Sequence, residues 1–163
     1  MILANTRSHS EQTLYILILM NNIVKIHRLE DSQRIVYGPL AHYFPLVGDG
    51  QTPVRTGIQV SEPGYIAPMH WHPYVELLFV IEGETEVWLE GQEEAKQQLV
   101  EGDCAVLPAN VPHSFRTVGD RRMRLLGIHA SADRVVHYLD RKTDSKGYPV
   151  LDAALQPVAD KGG

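Results

Sequence analysis

The sequence predicts an all-β fold, a barrel or sandwich, on three observations. Turn-forming glycine and proline clusters punctuate residues 35–130 at short intervals: "YGPL", "LVGDGQTP", "SEPG", "IEGE", "LEGQ", "VEGD" and "TVGD". Between them, "TEVWLEG" alternates charged and apolar residues, the pattern of a strand with one solvated face. "VELLFVI" is almost wholly apolar, which suits a strand buried on both faces.

Composition bounds what such a fold does. The chain has 163 residues, a single-domain length, with 44% hydrophobic and 21% charged residues. Its net charge of −5 is spread along the chain with no basic stripe, which argues against a nucleic-acid partner. The lone cysteine, Cys104, has no intrachain partner and belongs to no CxxC motif, which favours a reducing compartment and a cytoplasmic protein.

Taken in order, residues 1–34 read as an N-terminal extension. Its apolar run "LYILILM" is seven residues, far short of the ~20 that span a membrane. It also lacks the flanks of a signal peptide. It reads either as upstream of a start at Met20 or as an extra strand or dimer arm. Residues 35–130 form the barrel, with strands expected at 54–60, 75–81, 85–90, 96–100, 104–107, 113–118 and 123–129. Residues 131–163 read as a short helix capped by Ser131, with Val135, Val136 and Leu139 on one face, then a flexible tail that adds nothing to function.

The chemistry concentrates in "GYIAPMHWHPYVELLFVIEG", residues 64–83. Strand side chains alternate with period two, so His70, His72 and Glu76 share one face with Leu78 and Val80. Two imidazoles and a carboxylate on an oily face are expensive unless something holds them, and a divalent metal does so. His-x-His alone is a weak signal; the glutamate four residues later sharpens it. The competing reading is a surface histidine pair beside a glutamate that snorkels or pairs with an arginine.

This stretch resembles the first motif of the cupin superfamily, G-x5-H-x-H-x3,4-E-x6-G, at every fixed position: Gly64, His70, His72, Glu76 and Gly83. "GDCAVLPANVPHSFRT" is similar to the second motif, G-x5-P-x-G-x2-H-x3-N, through Gly102, Pro108 and His113. Asn110 stands for a glycine and Thr117 for the final asparagine. Asparagine tolerates positive φ, so the turn survives. The resemblance implies a double-stranded β-helix, the cupin jelly-roll barrel, with one divalent transition metal held by His70, His72, Glu76 and His113. It favours Fe²⁺, with Mn²⁺, Ni²⁺, Cu²⁺ or Zn²⁺ as alternatives.

Around that centre, Phe115 and Thr117 share the parity of His113 and are candidate pocket residues. His129 reads as a surface or internally satisfied histidine, Trp71 as outward-facing and Cys104 as core. Arg124 shares the parity of Leu126 and Ile128. The function expected by family analogy is dioxygenase-like oxidation of a small organic substrate. The alternatives are a redox-neutral isomerase, cyclase or lyase, and a non-enzymatic ligand-binding barrel. The expected partners are a small-molecule substrate and a second copy of the chain, with no nucleic acid and no membrane.

Overall fold

The computed structural model describes residues 24–48, 50 and 52–160. The apolar run at 14–20, and with it the expected extra strand or arm, lies outside the described residues. After a 3₁₀ turn at Leu29–Asp31, eleven strands follow: β1 Ile35–Gly38, β2 Ala41–Val47, β3 Arg55–Ser61, β4 His70–Trp71, β5 Glu76–Glu82, β6 Glu84–Leu89, β7 Gln97–Val100, β8 Cys104–Leu107, β9 His113–Val118, β10 Met123–His129 and β11 His137–Tyr138. They make two antiparallel sheets, one ordered β1-β2-β3-β10-β5-β8, the other β11-β4-β9-β6-β7. Each of the seven expected strands is present, with its ends within one residue of expectation.

Alternation explains the layering. On β5, Glu76, Leu78 and Val80 turn inward and are buried. On β10, Met123 and Leu125 do the same and meet Val87, Leu99 and Phe115 from the facing sheet. Each such side chain contributes roughly 1.5–3 kcal/mol when fully buried. Two turns need special backbone. Gly83 sits at φ +82°, and a Cβ there would lie 2.6 Å from the Arg122 carbonyl oxygen. Asn110 takes φ +61°, as its place in the second motif requires.

Four expectations are corrected. First, β5 is not buried on both faces, because Leu77, Phe79 and Ile81 lie outside the barrel and are only half-buried. Second, Cys104 is exposed: β8 is the edge strand, and the cysteine points outward with Val106. Third, no helix follows Ser131. The Val135 carbonyl instead accepts hydrogen bonds from His72 Nδ1 (2.8 Å) and the Tyr74 hydroxyl (2.9 Å), while the Val135 N–H donates to that hydroxyl (3.0 Å). A backbone spent on these contacts cannot make helical ones.

The fourth correction concerns the tail, which is ordered through residue 160. It folds on itself through bridges pairing Arg141 with Ala159, Thr143 with Pro149 and Leu151 with Pro157. The same segment anchors Arg134, which donates to the carbonyls of Lys146 and Gly147 and lies 4.1 Å over the Tyr148 ring. Arg141 and Pro149 line the interior cavity, so the tail forms part of the mouth of the barrel.

Candidate metal centre

Both sheets supply the centre. β4 and β9 pair through His70 and His113, which places these imidazoles side by side, centroids 4.5 Å apart. Glu76 opens β5 in the opposite sheet, next to His129 on β10. One donor atom from each of His70, His72, Glu76 and His113 falls within 4.8 Å of the others, and all four residues are buried. The four ligand candidates expected from the sequence therefore come together.

Hydrogen bonds fix how the histidines present themselves. His70 Nδ1 donates to the Pro68 carbonyl at 2.8 Å, His72 Nδ1 to Val135 at 2.8 Å, and His113 Nδ1 to Val111 at 3.0 Å. A neutral imidazole has one N–H, and here a backbone carbonyl takes it each time. Each Nε2 is left with its lone pair toward the centre, the state in which imidazole binds metal. Glu76 Oε2 sits 3.1 Å from both His72 Nε2 and His113 Nε2. His72 Nε2 is fully buried and makes no hydrogen bond.

Lone pairs facing a carboxylate at this distance repel unless positive charge lies among them. Burial alone would raise the Glu76 carboxyl, but the neighbouring His129 outweighs it and the carboxyl lies well below the usual carboxylate range. Burial, with help from His113, pushes His70 down to about 3, so it is neutral near pH 7. Three imidazole nitrogens and one carboxylate oxygen fit a divalent cation.

His129 differs from the expectation of a surface or satisfied histidine. It is buried, with Nε2 3.2 Å from Glu76 Oε1 and Nδ1 without a partner. No carbonyl claims its Nδ1, so it is free to carry its proton on Nε2 and donate to the glutamate. Its parity with Met123 and Leu125 on β10 was the available signal. Phe115 lines the cavity as expected. Thr117 is buried, but its hydroxyl pairs with Ser61 at 2.8 Å and it is not part of the cavity lining. Arg124 is half-buried, on the outer face with Leu126 and Ile128, and Trp71 stacks on His137 at 3.9 Å.

The cavity beside the centre has a volume of about 60 Å³ and meets an outer groove of about 1080 Å³. Tyr43, Arg55, Arg134, Val136 and Pro149 border both spaces. Sequence reasoning passed over Arg55 and Gln59. On β3 the polar residues Arg55, Gln59 and Ser61 face inward, while Ile58 and Val60 lie outside the interior cluster. That inverts the usual alternation and marks a functional interior. Gly57 allows it, since a Cβ there would lie 2.1 Å from the Tyr43 hydroxyl.

Comparisons with known proteins agree with this architecture. A family model described as the cupin domain matches residues 57–129. The polyketide synthase CurC of Streptomyces cyaneus is 35% identical over 108 residues, 64% of this chain and 66% of that protein. A point mutant of Bacillus subtilis oxalate decarboxylase superposes with a TM-score of 0.62 at 17% identity, over 72% of this chain and 33% of its own. KdgF from Halomonas sp. gives 0.57 at 20% identity, over 68% of this chain and 96% of its own. Residues 57–129 are a cupin domain, carried on the double sheet with its histidine–glutamate cluster. It spans just under two thirds of CurC and a third of the oxalate decarboxylase chain.

Proposed function

We propose that this protein is a metal-dependent enzyme acting on a small organic molecule, with the metal held by His70, His72, Glu76 and His113. The observation that carries this is the set of three histidines with each Nδ1 spent on a carbonyl, gathered with one carboxylate so that a donor atom of each residue lies within 4.8 Å of the others. A purely structural barrel has no use for such an arrangement. Bound there, the ion supplies Lewis-acid polarisation or, as Fe²⁺, redox chemistry toward dioxygen. The residues do the rest: Glu76 and the imidazoles bind, Phe115 and Leu78 keep the interior apolar, and Arg141 and Pro149 of the tail shape the mouth.

The chemistry favoured is dioxygenase-like oxidation with Fe²⁺, on family analogy. A second reading is metal-dependent chemistry without dioxygen. It is supported by the shared barrel of oxalate decarboxylase, whose Mn(II) centres are described and which superposes with a TM-score of 0.61. The similarity to polyketide synthase CurC supports a polyketide-type substrate. We further propose a homodimer in the cytoplasm, with no nucleic-acid or membrane partner. Among the described residues no helix is long and apolar enough to cross a membrane.

Elemental analysis of protein purified without chelator tests the metal. Near-stoichiometric divalent metal is expected, and its loss in the double variant His70→Ala, His72→Ala. Full metal content in that variant rejects the site. Dioxygen uptake by the Fe²⁺ form alone, against dicarbonyl, phenolic and thiol substrates, supports the first chemistry. Turnover by the Zn²⁺ form without dioxygen supports the second.

A further inference from the structure

The cavity carries more positive charge than its own residues neutralise. Its one carboxylate is Glu76, already engaged by His72, His113 and His129. Against it stand Arg55, Arg134 and Arg141. Arg141 pairs with Asp140 through Nε at 2.8 Å and Nη2 at 3.1 Å. Arg55 and Arg134 have no carboxylate partner among the described residues. Arg55, only 7% exposed, donates to the Tyr74 hydroxyl and the Asp133 carbonyl. Arg134 donates to the carbonyls of Lys146 and Gly147 and to the Tyr37 hydroxyl. Neutral acceptors do not compensate a buried guanidinium as a carboxylate does.

Gln59 adds a second, independent observation. It is 8% exposed and lines the same cavity, and its Nε2 is buried without a hydrogen bond. The Tyr65 phenol is the neighbour this amide acts on, but the geometry between them leaves the Gln59 Nε2 donor unsatisfied. An amide donor left bare in a cavity asks for an acceptor that the protein itself does not supply.

The positions order these donors. Arg55 and Gln59 lie on the inner face of β3, opposite His129 and Leu125 of β10. Arg55 and Arg134 stand where the cavity meets the outer groove, where Arg34 and Lys146 add two cations against the carboxylates of Asp133 and Asp144 and leave an excess of positive charge. On a chain of net charge −5 this concentration is local and is aimed at the mouth of the barrel.

We infer that the substrate is an organic anion carrying a second oxygen acceptor, an oxo-carboxylate or the enolate equivalent. Its charged end is held at the mouth by Arg55 and Arg134, and its neutral oxygen is reached by the Gln59 amide. This rests on the metal-enzyme reading for its catalytic meaning, while the binding itself does not require the metal.

Titration calorimetry with sodium pyruvate, and with pyruvamide as its uncharged counterpart, tests the proposal on the metal-loaded full chain. Pyruvate is expected to bind at least tenfold more tightly than pyruvamide. Arg55→Gln is expected to weaken pyruvate at least tenfold with metal content unchanged, and Arg55→Lys to restore part of the loss. Gln59→Leu replaces a side chain whose donor makes no hydrogen bond, so the fold is kept; it is expected to weaken both compounds alike. Equal affinity for the two compounds overturns the proposal, as does wild-type pyruvate affinity in Arg55→Gln or Gln59→Leu, or no pyruvate binding by the wild type. The same titration on metal-free protein separates the two readings. Pyruvate affinity that persists there and is lost in Arg55→Gln upholds the anion site even where elemental analysis rejects the metal.

Discussion

Glu76 is held from two sides, and the two sides do different work. Oε2 faces His72 and His113, whose Nε2 atoms carry lone pairs, while Oε1 faces His129, the histidine with no carbonyl on its Nδ1. His129 therefore positions the carboxylate rather than joining the four-residue cluster. Replacing it, His129→Ala, is expected to leave one metal per chain but weaken affinity about 10–100-fold, read by competition with a chelator of known affinity. Unchanged affinity removes that role. The same burial sets an acid dependence for the metal-free protein. His70 is pushed from 6.5 to about 3, so between those values the unfolded chain binds a proton that the folded chain refuses. His129 is also lowered, chiefly by burial, and acts in the same direction. Glu76, depressed in the fold, contributes stability above its unfolded value that is lost in acid. Stability of the metal-free protein is thus expected to fall as pH drops from about 6.5 toward 3, with a slope of roughly 1.4 kcal/mol per pH unit for each proton that only the unfolded chain binds. A melting temperature that stays level from pH 7 to pH 4.5 contradicts this.

At the scale of elements, the segment after β10 matters most, because it completes β4 rather than forming a helix. β11 pairs His137 with Trp71 and Tyr138 with His70, and the Val135 carbonyl orients His72. Tyr74 ties the two together: its hydroxyl bonds both the N–H and the carbonyl of Val135, and its ring stacks on His72 at 5.2 Å. Tyr74→Phe keeps the ring and removes both of these bonds together with the one the hydroxyl accepts from Arg55. A loss of about 1–3 kcal/mol is expected from thermal or urea unfolding, together with weaker metal binding through a less constrained His72. Wild-type stability and affinity in this variant show that Val135 is held by other contacts.

At the scale of the molecule, two sheets close on an interior that is apolar at one end and polar at the other. Val80 and Met123 fill the first, Leu78 and Leu125 border the cavity between them, and histidines, arginines and tyrosines line the second. Burial raises the Tyr43 phenol to about 12, so it stays neutral beside the centre. Outside, the six-stranded sheet shows half-buried Leu77, Phe79 and Ile81, with Val106 66% exposed on its edge strand. Apolar surface of this kind is consistent with the proposed homodimer. Light scattering at micromolar concentration is expected to give twice the monomer mass, and a monomer there removes the dimer.

Much of this was legible along the chain, because strand alternation and turn chemistry are local. Period two placed His70, His72 and Glu76 on one face, and the glycines and Asn110 marked turns whose φ values are positive. The ends of the seven strands, and the four ligand candidates named through the two motifs, needed nothing more. What lay beyond reach depends on contacts between distant residues. His129 reaches Glu76 only because β10 runs beside β5, and Val135 meets His72 across 63 residues. The inward polar face of β3 and the tail that borders the cavity run against local preference, since an apolar strand face and a capped helix are the cheaper local solutions. The sequence by itself determined the barrel and the set of four residues that cluster inside it. Only the tertiary structure decided what surrounds that set, because burial and charge balance are properties of the closed cavity and not of any one segment.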